Sequence, residues 1–438
     1  ITMWGTIPKL RYLKPQIYQR RVLGLWIAAL AVAEVPCQTV LNEDSIVTTP
    51  LIERPGNAFG SRVLLSGEWC AVTDFLAGYY SNAVNTSQLG AVHMFRREVS
   101  GWAYKQTLTP PLPPPANGWV STLWNFLALD GDRLALGGMT DAVNNGAGTV
   151  WLYRCIGGEW ILEQRLDPTV QNPTVNFGFG LEFDGPDLYV GILGLGHIDP
   201  VTPNFPGGIV ERFRRTQGVW TSVETVEPQS TSLPIRLCGS RFHIDGDVLV
   251  MVCEAGVFSS HYDTYLRIFE GGPGAWAETS LIPGIQYPPA NAHREFYGYS
   301  FDVMGDWIAV GVPILRYFVP NSPQVPGLVY LYYRTAPGTW AIRQILQASN
   351  SWFGALAGVL GDTDQFGWSV QFDGDRLMVG APQGQNAAGR RYSGQAYLFE
   401  FNGTQWVETS RLTSPYIEGG GPGFGSTAGD SVAMDWPY

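Results

Sequence analysis

At 438 residues the chain exceeds what one hydrophobic core usually holds, so it divides into domains or repeats a small unit around an axis. With 53 glycines, 31 prolines, 13% aromatic and only 15% charged residues, it is neither disordered, collagen-like nor a helix bundle, and it suits many short strands. The net charge of −11 becomes more negative once the basic first 33 residues are set aside, which argues against nucleic acid as a partner.

In chain order, residues 1–33 come first. They carry Lys9, Arg11, Lys14, Arg20 and Arg21, then an apolar run over 22–33 ending Ala31-Val32-Ala33. A basic region, an apolar region and small residues in that order read as a secretory signal. Twelve residues of helix span about 18 Å, short of the roughly 30 Å hydrocarbon core, so a membrane anchor or a buried helix is the lesser alternative. The expected setting is secreted or cell-surface, with no stable membrane span once the signal is removed. Residues 34–56 form an N-terminal segment with two strand-like stretches, 37–41 and 45–53.

From residue 57 onward one unit recurs. Its anchor is a glycine, Gly67, Gly131, Gly185, Gly246, Gly305, Gly374 and Gly429, at intervals of 54–69 residues. Eight residues earlier stand Phe59, Leu123, Phe177, Cys238, Tyr297 and Phe366, in most units followed by glycine. Later in each unit a tryptophan follows a glycine-containing turn: Trp102, Trp160, Trp220, Trp276, Trp340 and Trp406. Each unit reads as four short strands. Asp-Gly pairs such as Asp245-Gly246 are expected at the two turn positions of the first hairpin, where positive φ is needed. The third strand carries aromatics, as in Val329-Tyr330-Leu331-Tyr332-Tyr333, and the tryptophan opens the fourth. Four antiparallel strands per unit with no helix describe a propeller blade, and the repeated aromatics are mainly packing residues.

The clearest unit runs Phe366-Gly367-Trp368-Ser369-Val370 and closes its second strand with Gly380-Ala381-Pro382. Phe-Gly-x-Ser-Val with Gly-Ala-Pro resembles the FG-GAP repeat proteins, particularly the bacterial secreted kind. Phe59-Gly60, Phe177-Gly178 and Tyr297-Gly298 with Gly311-Val312-Pro313 match in part. The resemblance implies an all-β, seven-bladed β-propeller of four-stranded antiparallel blades, like the integrin α-subunit head. Blades are expected over about 57–112, 117–170, 175–229, 233–284, 295–349 and 364–415, with a partial one at 419–438. Integrin-type blades often carry a DxDxDG calcium loop. None occurs here, and the Asp-Gly-Asp turns are too short to supply the about six to eight oxygens calcium takes, so no cofactor or metal is expected, with calcium at a blade the lesser alternative.

The chain shows no catalytic motif. His93, His197, His243, His261 and His293 are scattered singly, and no metal-ligand spacing, nucleophile elbow or phosphate loop occurs. Gly419–Gly425 is glycine-rich but opens no helix. Carboxylates are plentiful, yet sequence alone does not pair two of them across a funnel. The expectation is a non-catalytic module that binds an extracellular protein or glycan. The alternatives are a structural module of a larger surface protein, or a propeller hydrolase or lyase with a funnel carboxylate pair. The long second-to-third strand connections gather at one end and supply the candidate contacts: Tyr79, Tyr80, His197, His261, Tyr262, Tyr317, Phe318, Arg390, Arg391 and Tyr392.

Two further expectations concern covalent and topological closure. The five cysteines are Cys37, Cys70, Cys155, Cys238 and Cys253. With Asp245-Gly246 as turn residues, Cys238 and Cys253 face each other as a hydrogen-bonded pair, at a separation that admits either a disulfide or two thiols. The seventh unit has only its first hairpin, so residues 37–53 are expected to supply the outer strands of blade seven. Otherwise that blade stays incomplete.

Overall fold

Tight turns pace the architecture. In the computed structural model the ladders pair Ser66 with Trp69, Asp130 with Arg133, Asp184 with Asp187, Asp245 with Val248, Met304 with Trp307 and Asp373 with Arg376. The anchor glycine is therefore the first of two central residues, with φ between +51° and +59°, the pattern of a type II′ turn. This corrects the Asp-Gly assignment: the aspartate before the glycine is the last strand residue. A Cβ at Gly246 meets nothing within 4 Å, so the backbone angle alone selects glycine there. The displaced aspartate has another task. Asp245 Oδ2 accepts the N–H of the next blade's turn glycine, Gly305, at 2.6 Å, and Ser66 Oγ does the same for Gly131 at 2.8 Å.

The structure describes residues 26–27, 39–41, 59–74, 90–109, 111, 126–138, 147–168, 176–193, 208–229, 236–255, 263–284, 297–313, 326–352, 363–386, 389, 391, 393–413 and 432–434. Their strands form six four-stranded antiparallel meanders. The innermost strands are Phe59–Ser66, Leu127–Asp130, Phe177–Asp184, Arg236–Asp245, Ser300–Met304 and Ser369–Asp373. The outermost are Gly101–Leu108, Glu159–Leu166, Val219–Val226, Ala277–Pro283, Thr339–Leu346 and Trp406–Thr413. Innermost strands of consecutive blades touch one another, which sets the six sheets around an axis. The fold is an all-β propeller.

Among the described residues the blades number six, not the seven expected. A blade needs four strands, and among the described residues of the seventh unit, 432–434, the one strand is Val432–Ala433. It pairs in parallel with Trp26–Ile27. Of residues 37–53, the described Thr39–Leu41 pairs in parallel with Ser410–Leu412 and becomes a fifth strand on the outer edge of blade six rather than part of a seventh blade. That edge offers unpaired backbone groups, and the added strand satisfies them. Residues 45–53 lie outside the described residues, as does the proposed signal apart from 26–27.

The core lies between blades rather than within them. Separate apolar clusters join blades one and two, two and three, three and four, four and five, and five and six. Two more sit on either side of the 432–434 segment. Ala433 packs with Val63, Cys70, Val72 and Phe95 of blade one, whereas Val432 and Met434 pack with Met378, Ala396, Leu398 and Leu412 of blade six. Period-2 alternation thus turns one short strand into a wedge that seals the ring. The repeated tryptophans serve the same packing. Trp160, Trp220 and Trp406 are buried, and Gln106, Gln164 and Gln344 on the preceding outer strands clamp their main chains through paired 2.8–3.0 Å hydrogen bonds.

The Phe-Gly and Gly-Ala-Pro signatures form one joint. A methyl group on Gly191 or Gly311, at the ends of second strands, stands 1.9 or 2.1 Å from the carbonyl oxygen of Gly239 or Gly367 in the following blade. Glycine is required on both sides because backbone meets backbone.

Cys238 and Cys253 are disulfide-bonded, with Cα atoms 4.4 Å apart. The route differs from the regular ladder expected: pairing runs from Asp245–Val248 to Arg241–Val252, then shifts through a bulge before Arg236–Glu254. The bulge at the Phe-Gly joint, not the hairpin register, sets Cys238 opposite Cys253.

Candidate functional site

The site begins three residues before each turn glycine. Those positions are Leu64, Ala128, Glu182, His243, Asp302 and Gln371, set between apolar neighbours on the innermost strands. In blades one and two the residue is apolar. In blades three to five it is ionisable, and the three side chains converge. His243 Nδ1 lies 3.2 Å from Glu182 Oε2 and 3.6 Å from Asp302 Oδ1. Their side chains are 23, 32 and 15% exposed for Glu182, His243 and Asp302. Flanked by blades on both sides, an innermost strand opens only toward the axis, so this exposure places the trio at the centre of the ring.

Arg62, from blade one, acts electrostatically on both Glu182 and His243 two and three blades away, a reach that crosses the axis. Burial lowers the Arg62 guanidinium, and Glu182 opposes that shift. Burial also pulls the His243 imidazole down, but Glu182 and then Asp302 outweigh it and hold the group above its ordinary value. Burial lifts the Asp302 carboxyl to about 6, while His243 and the Phe372 and Val303 N–H groups pull it back. Asp302 is otherwise satisfied: Oδ2 accepts from Phe372 N at 2.6 Å and Oδ1 from Val303 N at 2.9 Å.

Just beyond the trio, at the start of the innermost strands, rings from neighbouring blades pair. Phe126 and Phe179 have centroids 4.3 Å apart, and Tyr299 and Trp368 4.4 Å. All four are partly exposed. Between the two pairs in the ring order, Arg241 is held by the carbonyls of Gly298 and Tyr299 at 2.6 and 3.1 Å and lies 3.5 Å from Glu254. Among the described residues no three His, Cys, Asp or Glu side chains are gathered to hold a metal ion.

Of the loop candidates named from sequence, Tyr79, Tyr80, His197, His261, Tyr262, Tyr317, Phe318, Arg390 and Tyr392 lie outside the described residues. Arg391 is exposed, with its guanidinium 4.4 Å from the Trp352 ring centroid, and Trp352 Nε1 donates to Gln383 O. Sequence reasoning missed Arg62, Glu182, His243 and Asp302. For the last three the signal was there: a polar residue at one fixed repeat position in consecutive units, where both neighbours are apolar.

Residues 356–399 match the family model described as FG-GAP repeat. The chain thus carries an FG-GAP repeat within its all-β propeller. No curated protein sequence matches it. The solved structures to which the chain is similar include three at low identity. Sqt1 from Chaetomium thermophilum is 12% identical with a TM-score of 0.40, over 80% of this chain and 70% of that one. A hypothetical selenium-binding protein from Sulfolobus tokodaii is 10% identical with a TM-score of 0.46, over 84% and 81%. The β-propeller domain of the Trilobed protease from Pyrococcus furiosus is 9% identical with a TM-score of 0.34, over 80% and 95%. Likenesses this distant say nothing about what the propeller binds.

Proposed function

We propose that this FG-GAP propeller is a non-catalytic recognition module that binds an extracellular protein or glycan through one face. The observation that carries the reading is the asymmetry of its two ends. At one end, two-residue turns join first to second strands, and connections of similar brevity join third to fourth. At the other, second strands reach third strands through connections such as 75–90, 193–208 and 313–327, beside the blade-to-blade links. A rigid scaffold with variable segments gathered at one end is how loops acquire binding roles without weakening the core. The apolar run and Ala-Val-Ala of residues 22–33 support export. The test is a screen of the purified protein on glycan and extracellular-protein arrays, beside a variant whose 194–207 and 314–325 segments are replaced by short Gly/Ser links. Capture lost in that variant supports the reading. Glycan turnover abolished by Glu182→Gln replaces it with an enzyme.

A further inference from the structure

Taking glycan over protein as the ligand of one place on that face, we propose that the axial mouth of the propeller binds a neutral saccharide. Glu182 and His243 engage its hydroxyls, and the Phe126–Phe179 and Tyr299–Trp368 pairs meet the apolar faces of its rings. The inference rests on the recognition reading and narrows it.

Three observations converge. First, the polar groups at the axis are of mixed sign. Arg62 and the imidazole of His243 disfavour a cation, Glu182 and Asp302 disfavour an anion, and a hydroxyl, donor and acceptor at once, suits both kinds. Second, the hydrogen-bonding capacity is only partly used. Asp302 is occupied by the Phe372 and Val303 N–H groups, and His243 turns Nδ1 to the carboxylates. Nδ1 is therefore the protonated nitrogen, leaving Nε2 as the ring's second polar atom, while Glu182 meets His243 through Oε2 and leaves Oε1. The ring is braced edge-on against Phe301 at 4.9 Å, so its direction is fixed by packing. Third, the aromatic pairs come from blades two and three and from blades five and six, on opposite sides of a six-bladed ring. Each lies at the start of its innermost strands, the end that carries the long connections. Aromatic faces beside carboxylate and imidazole groups are the complement of a sugar, whose C–H face is apolar and whose rim is hydroxyl.

The experiment is saturation-transfer NMR and calorimetric titration of the full chain with neutral mono- and disaccharides, uronic acids and amino sugars, with melting temperature recorded for every variant. The expected result is millimolar or tighter binding of neutral sugars, with uronic acids and amino sugars weaker. Glu182→Ala and Trp368→Ala each weaken binding by about tenfold or more. Glu68→Ala, on the exposed turn at the far end, leaves it unchanged. If Glu182→Ala fails to fold, Trp368→Ala and His243→Gln carry the same test. No saccharide binding, or sugar binding that survives Glu182→Ala and Trp368→Ala, overturns the axial site. Array capture that depends on segments 194–207 and 314–325 but not on Glu182 also overturns it, while leaving the recognition reading intact.

Discussion

The side-chain amide of Gln371 clamps the main chain of Met434: Oε1 accepts from Met434 N at 2.8 Å and Nε2 donates to Met434 O at 3.3 Å. It is the device that Gln106, Gln164 and Gln344 use between blades, applied to the strand that seals the ring. Gln371 occupies the repeat position of Glu182, His243 and Asp302, so one position both closes the propeller and lines its axis.

The seam is therefore expected to limit stability. Met434→Ala removes a buried side chain from the blade-six cluster and is expected to destabilise by about 2–3 kcal/mol. Gln371→Ala loses both clamping hydrogen bonds, for about 1–2 kcal/mol. Urea denaturation of both variants checks this. Hydrogen exchange should quicken first at the innermost strands of blades one and six.

Glycines at the turns and at the joints carry different burdens. Gly246 has open space around it, so Gly246→Ala costs only the left-handed backbone, about 1–2 kcal/mol. At Gly239, with φ of +75°, a Cβ stands 2.3 Å from Ile209 O, and strain adds to a clash that backbone cannot relieve. Gly239→Ala is expected to cost about 3 kcal/mol or more. Equal melting temperatures for the two variants would contradict the account of the joint.

That contrast shows what the sequence made legible. The repeat, its strand count per blade and the packing role of its tryptophans follow from period and spacing, because every unit repeats them. Blade number did not follow. It depends on whether the ends of the chain find each other, and their described strands, Val432–Ala433 and Thr39–Leu41, pair elsewhere. The aspartate of the Asp-Gly pair was misplaced because its partner, the Gly305 N–H, lies a whole blade away. The axial trio was hidden for the same reason: Glu182, His243 and Asp302 are about 60 residues apart, and only ring geometry brings them together.

The Cys238–Cys253 bond closes a loop with a sequence separation of 15. Cys238→Ala with Cys253→Ala is expected to lower stability by about 2–3 kcal/mol. Thiol titration of the unfolded, unreduced protein should find no more than three of the five cysteines free. Five free thiols would contradict the bond.

Stability should also carry the signature of Asp302. Its folded-state pKa of about 6 lies above the ordinary 3.8, so between those values the folded state holds a proton that the unfolded state releases. The linkage makes stability fall as pH rises from about 4 to 6, by at most about 3 kcal/mol. The raised His243 adds in the same direction: its contribution is full below its ordinary 6.5 and is lost as pH rises through its folded value. Melting curves of wild type and Asp302→Asn across pH 4–8 isolate the Asp302 part. Wild type should lose ground to Asp302→Asn as pH rises, and parallel curves would contradict the burial of this carboxyl.

Hydrogen-exchange mapping of the full chain, alone and with a ligand captured from the arrays, tests the central claim most directly. One-faced recognition predicts protection at the connections 193–208 and 313–327 and at the start of the innermost strands around Phe179, Tyr299 and Trp368. No change is expected at the turns Gly67-Glu68 and Gly305-Asp306. Protection confined to those turns, or to the outer strands of the blades, would contradict it.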